Sequence, residues 1–154
     1  ITAHADTEAE AMALIDPVEA QVKAILGDVV IGVNVESVEE VCLALLKEQG
    51  LTLGTAESCT GGLIAKYMTD LPGSSAVFRG GVVSYTDGVK TGVLGVPQGL
   101  LDRYGAVSPQ VAEAMARGAK AALGCDIAIS STGIAGPDTD DRGTPVGLVY
   151  LGLA

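Results

Sequence analysis

Histidine is almost missing from this 154-residue sequence, and the single one, His4, lies in its acidic first quarter. That nearly excludes a Ser-His-Asp or Cys-His centre beyond that segment, and histidine-based metal binding with it. Any base working near neutral pH must then be a carboxylate, a tyrosine, a thiolate or a lysine with a lowered pKa. Cysteine is scarce too. Cys42, Cys59 and Cys125 are odd in number and show no CxxC spacing, which argues against a disulfide framework or a zinc site. With no tryptophan and one phenylalanine, aromatics make up 3% of the chain, so a core must come from Val, Leu, Ile and Ala. No run approaches the roughly 18 apolar residues of a membrane span. No basic-then-apolar leader opens the sequence, and a soluble, cytoplasmic protein without a membrane partner is expected. Basic residues are outnumbered 9 to 19, and the net charge of −10 disfavours nucleic acid as a partner.

What is present suits one ordinary α/β domain with a small appendage. Residues 1–50 carry ten acids, two bases and three glycines, whereas residues 51–154 carry nine acids, seven bases and eighteen glycines. An acidic helical segment thus gives way to a loop-rich one where chemistry is expected. The first residue is Ile1, and Ala154 interrupts the strand-like "VGLVYLGLA", so a piece of a longer protein is expected. Thr7-x-x-Glu10 and Ser37-x-x-Glu40 have the form of capping boxes. The first opens a helix to about Leu26, bent or stepped at Pro17 and flanked by strands at "ITAHAD" and "VVIGV". The second opens a helix over 38–49 that Gly50 stops. The boundary between appendage (1–35) and main domain (36–154) is expected near Asn34–Ser37. Beyond it the pattern predicts strand 51–56, helix 59–69, strand 76–85 and a short helix from about Gly88. Helix 109–123, with Ser108 capping, Pro109 at its first position and Gly124 as its stop, is followed by strand 126–132, a loop over 133–145 and strand 146–153. Alternating strands and helices with continuous apolar strand runs indicate a layered α/β fold.

Three stretches invite chemistry. In "TAESCTGG", Ser58 stands at the strand-to-helix turn, and Cys59, Thr60, Gly61 and Gly62 are read into the first helical turn. Free backbone N–H groups there favour an oxyanion or a phosphate. The plain alternative is a serine N-cap with glycines admitting a tight crossing. Cys59 is a rival nucleophile, because a helix N-terminus lowers a thiol pKa, although a cysteine facing the core is commoner. Cys42 and Cys125 read as packing residues. In "FRGGVVSYTDGVK", Tyr85 ends a strand, Asp87 is a plausible N-cap, and Lys90 falls in the next first turn. A positive helix end and partial burial would lower the Lys90 pKa toward use as a base; otherwise it is a solvated lysine. "SSTGIAGPDTDDRGTPVG" places Thr132, Gly133 and Gly136 at the carboxyl end of a strand, where α/β sheets hold ligands. It lacks GxGxxG and GxxxxGK[ST], so dinucleotide and P-loop assignments fail. Asp138–Asp141 read as an acidic surface loop.

Together "TAESCTGG", "GGVVSY…K" and "GIAGP…PVG" resemble the C-terminal domain of the competence/damage-inducible CinA proteins, the nicotinamide-nucleotide amidohydrolase family. The resemblance runs from about Val38 to the end, and residues 1–35 look like the tail of the linking domain that precedes it. It implies a three-layer α/β/α sandwich with a small N-terminal strand-helix-strand appendage. The implied activity is hydrolysis of the carboxamide of nicotinamide mononucleotide to nicotinate mononucleotide and ammonia, with no cofactor or metal. By motif it assigns Ser58 as nucleophile, Lys90 as base and Tyr85 as a group that tunes or relays to the lysine. Amides around Cys59–Gly62, or the Gly80-Gly81 strand, would receive the oxyanion. A homo-oligomer carrying a further N-terminal domain is expected. The chain departs from the family where it reads "DTDDRG" in place of glycines. It also ends before a segment that bears a basic residue near the ligand, so the fragment itself is expected to be inactive if that segment is required. The alternative is a nucleotide-binding or subunit-docking module without turnover.

Overall fold

The computed structural model describes residues 1–35 and 37–154, and the chain forms two compact units, Ile1–Val41 and Cys42–Ala154. In the first, helix α1 runs over Glu8–Leu26 and passes through Pro17 without interruption. Its capping box is formed: Glu10 N–H donates to Thr7 Oγ1 at 3.3 Å, and Thr7 N–H donates back to Glu10 Oε2 at 3.1 Å. A single 3₁₀ turn follows at Gly27–Val29. The strands expected at "ITAHAD" and "VVIGV" do not form. Neither has a ladder partner, Val29 belongs to the 3₁₀ turn, and an unpaired strand gains nothing for its ordering. Helix α2, Val38–Gln49, begins where Ser37 Oγ accepts from Glu40 N–H at 3.2 Å. It ends at Gly50, where Leu51 N–H reaches back to Leu46 O at 2.9 Å.

In the second unit, β1 (Leu53–Glu57), α3 (Leu63–Thr69), β2 (Phe78–Val83), α4 (Asp87–Gly92) and α5 (Gln98–Tyr104) come in that order. They are followed by α6 (Pro109–Leu123), β3 (Ile127–Gly133) and β4 (Val149–Leu153). The sheet order is β2-β1-β3-β4; β1 is parallel to β2 and β3, and β4 is antiparallel to β3. Successive side chains on a strand alternate between faces, and two apolar clusters follow that alternation. Leu53, Ile127 and Phe78 pack with Leu43, Leu46, Met68 and Val77. Ala56 and Ala128 point the other way, toward Leu94, Val96, Leu101, Val111, Met115 and Ala119.

The second cluster depends on small residues. A Cβ on Gly152 would stand 2.3 Å from Ala112 O, and one on Gly118 would stand 2.0 Å from Leu94 O. Ser130 Oγ donates to Ala112 O at 2.6 Å, so α6 sits against the sheet at hydrogen-bonding distance. With so few aromatics, close approach supplies the packing that large rings supply elsewhere. Cys125 is buried as expected, but Cys42 is exposed. The opposite face of β4 is bare: Val149, Leu151 and Leu153 are 45–71% exposed. The carboxyl ends of β1, β2 and β3 converge at one edge of the sheet, and there the candidate residues gather.

Candidate active site

Ser58 follows β1 directly and is held by the sheet, its N–H donating to Ser131 O at 2.9 Å. The helix does not start there. Gly61 and Gly62 have φ of +62° and +102°, so α3 begins at Leu63, after a left-handed turn. This corrects the expectation that the glycines lie within the helix. They are required by backbone conformations that other residues adopt only with strain.

Lys90 enters from α4 and is 1% exposed. Its Nζ lies 3.2 Å from Ser58 Oγ, and it donates to Ser84 O at 2.9 Å and to Tyr85 O at 3.4 Å. The nearest carboxylate, Asp87, is 3.9 Å away and itself half exposed. Burial pushes the Lys90 pKa below its ordinary value, with Asp87 and Cys59 offsetting part of that effect. Desolvation, and not the helix end, is therefore the main cause. The N-cap of α4 is Thr86, not Asp87, which occupies the first helical position.

A cavity of about 360 Å³ opens over this pair. Ser58, Cys59, Tyr85, Asp87, Lys90, Thr132, Gly133, Gly136, Asp138 and Asp140 line it, with Ala106, Val107, Ile134 and Ala135. Tyr85 reaches Lys90 through its backbone carbonyl, and its side chain is largely exposed at the cavity wall. Thr132 Oγ1 is already engaged, donating to Ala106 O at 2.8 Å. Thr60 turns away, its Oγ1 lying 2.6 Å from Ser131 Oγ. Gly80 and Gly81 are not brought to the cavity. They lie inside β2, paired with Gly54 and Thr55, and Gly81 packs against Thr55 and Ala65.

The rim between β3 and β4 is tied down by two side chains. Asp140 accepts from Arg142 N–H, Thr144 N–H and Thr144 Oγ1 at 2.8–3.1 Å. Arg142 donates to the carbonyls of Leu101, Asp102 and Arg103 at the C-terminal end of α5. Leu101 O already accepts from Gly105 N–H at 2.8 Å, and the guanidinium adds a cation at the negative end of the helix. Among the described residues, no group of three or more His, Cys, Asp or Glu is placed to hold a metal.

Glu57, Ser84 and Arg142 did not stand out in the sequence. Glu57 is 1% exposed, and its carboxylate accepts from the N–H groups of Gly62 (3.0 Å), Ile64 (3.0 Å) and Ala65 (2.8 Å). An acid beside a helix start is a readable signal, but Glu57 precedes Leu63 by six residues and so lies outside the usual capping window.

A mixed α/β domain with a buried serine–lysine contact at the carboxyl edge of its sheet is the class of protein defined here. Residues 35–154 match the model of the CinA C-terminal domain, and the chain belongs to that family. A relative from Clostridium kluyveri is 52% identical over 153 residues, which is 99% of this chain and 37% of that protein. A CinA-like protein from Nostoc sp. is 51% identical over all 154 residues, covering 36% of its own length. The chain thus spans a little over a third of the curated relatives it matches. Among solved structures, the competence/damage inducible protein CihA from Agrobacterium tumefaciens aligns with a TM-score of 0.72 and 44% identity. That alignment covers 75% of this chain and 70% of that one.

Proposed function

We propose that this domain hydrolyses a carboxamide, that of nicotinamide mononucleotide, to the carboxylate and ammonia. The observation that carries the reading is Lys90 Nζ, buried, 3.2 Å from Ser58 Oγ, with two carbonyl oxygens as its other hydrogen-bond acceptors and the Asp87 carboxylate 3.9 Å away. Burial there shifts the lysine toward its neutral form, whose lone pair can face the serine hydroxyl.

In the first half-reaction, Ser58 Oγ bonds to the carbonyl carbon while its proton passes to Lys90 Nζ. Collapse of the tetrahedral adduct breaks the C–N bond, and Lys90 returns the proton to nitrogen, releasing ammonia. In the second half, water attacks the acyl ester and gives a proton to Lys90. The C–O bond to Ser58 breaks, the serine recovers that proton, and the acid leaves, releasing water's second proton to solvent as it becomes the carboxylate. The developing oxyanion falls to the Cys59 and Thr60 N–H groups. Gly61 N–H is already bound to Ser58 O at 3.1 Å, and Gly62 N–H to Glu57.

The reading of the turn as an anion pocket kept by a non-catalytic module is less well supported, because Glu57 occupies three of the amides such a pocket would use. The test is ammonia release from nicotinamide mononucleotide by the full-length protein. Ser58→Ala is expected to lower it by about 10³-fold or more with the fold intact. Release that survives this substitution would refute the mechanism.

A further inference from the structure

We propose that Glu57 is the positioning residue of the Ser58 turn, its carboxylate fixing where the nucleophile and its oxyanion amides stand. The inference rests on the serine reading above. Glu57 ends β1, and its main chain is locked on one side, where its carbonyl accepts from Ser84 N–H at 2.7 Å. The next residue is locked on the other side, through Ser58 N–H to Ser131 O at 2.9 Å. The side chain then reaches forward across the left-handed turn and gathers the N–H groups of Gly62, Ile64 and Ala65. Residues 58–61 are therefore a short arch whose two ends are both fixed to one residue.

Two consequences follow from the geometry. The arch runs into Gly61 and Gly62, which bring no side chains to it; the Gly61 N–H to Ser58 O bond and the Thr60–Ser131 hydroxyl contact brace its middle, and the Glu57 carboxylate fixes its far end. The three deeper amides are also withdrawn from any ligand, so substrate charge meets the Cys59 and Thr60 N–H groups nearest Ser58. Loss of that register by an ångström can cost about 10²-fold in rate, even when nothing that touches substrate has changed.

The test compares Glu57→Gln and Glu57→Asp with wild type in the full-length protein. Glutamine keeps the size but supplies one acceptor oxygen, and its NH₂ opposes an N–H. Aspartate keeps the charge but withdraws it by one methylene. The first readout is the second-order rate of Ser58 modification by a fluorophosphonate, in which the Ser58 O–P bond forms, the P–F bond breaks, fluoride leaves and Lys90 accepts the serine proton. Both variants are expected to react about 30-fold or more slowly, with the acid limb of the pH–rate profile unmoved and the melting transition still cooperative. In amide turnover, kcat is expected to fall by a similar factor and KM to stay within about threefold.

Modification rates within about threefold of wild type in either folded variant would overturn the inference. So would a displaced acid limb, because Glu57 would then act through the Lys90 charge, and so would absence of Ser58 modification in wild type. Wild-type modification without ammonia release would instead refute the amidase reading and leave the positioning role standing.

Discussion

A neutral lysine amine has two hydrogens and one lone pair, and the site has a use for each. The carbonyls of Ser84 and Tyr85 take the hydrogens, which leaves the lone pair for Ser58 Oγ. Lys90→Arg is therefore expected to lose activity nearly as completely as Lys90→Ala, because a guanidinium keeps the charge and cannot act as a base. Substantial turnover by the arginine variant in an ammonia assay would contradict this. The pH dependence has a definite sign. In the proposed mechanism the working form is the deprotonated one, so kcat/KM is expected to rise with pH through the lowered Lys90 pKa to a plateau. Asp87 raises that pKa, so Asp87→Asn should move the rise to lower pH; a shift to higher pH would reverse the assignment. Cys59 lines the same cavity and is near enough to Lys90 to influence its pKa, but among the described residues Lys90 Nζ hydrogen-bonds to Ser58 Oγ and not to the thiol. Cys59→Ser is expected to keep activity within about tenfold, a barrier change of no more than about 1.4 kcal/mol. Iodoacetamide inactivation that disappears in this variant would show that the thiol matters more.

At the scale of elements, β1 and β2 meet at a crowded point. A Cβ on Gly81 would stand 2.4 Å from Thr55 Oγ1, and that hydroxyl is buried without a hydrogen-bond partner among the described residues. Gly81→Ala is expected to destabilise by about 1–3 kcal/mol through overpacking. Thr55→Val removes an unpaired buried hydroxyl at almost constant shape and should stabilise by about 1 kcal/mol. Thermal unfolding of the two variants measures both, and a large loss in Thr55→Val would show that the hydroxyl has a partner.

The elements that sequence reading located best are those whose signals are local. Ser37 and Gly50 bracket α2, and Ser108, Pro109 and Gly124 bracket α6, because caps and stops act within one turn. Helix α5 went unread: it begins after Pro97 with no side-chain cap, contains Gly99 and lasts seven residues. The start of α3 is not legible in the sequence, since a glycine pair looks alike in a helix and in a left-handed turn until φ is known. Lys90 is singled out by the family motif; the missing histidine narrows the base to a carboxylate, a tyrosine, a thiolate or a lysine without choosing among them. Glu57 is not legible, because its meaning lies in amides five to eight positions away, which the arch alone brings together.

On the whole-molecule scale, excess negative charge coexists with apolar side chains left in water. Val149, Leu151 and Leu153 form a row along one face of the edge strand β4, and the chain carries a net −10. At low ionic strength, mutual repulsion between copies is expected to outweigh the attraction of such a row. The range of that repulsion is the Debye length, about 10 Å in 0.1 M salt and about 3 Å in 1 M salt. Raising sodium chloride should therefore make solutions of this chain more attractive to themselves, not less. Static light scattering is expected to show a second virial coefficient that falls from positive toward negative as salt rises, and Leu151→Lys should keep it positive. A coefficient insensitive to salt in both proteins would mean that the strand face is not what the charge holds apart. The bare face of β4 thus makes ionic strength a control on the colloidal behaviour of the protein.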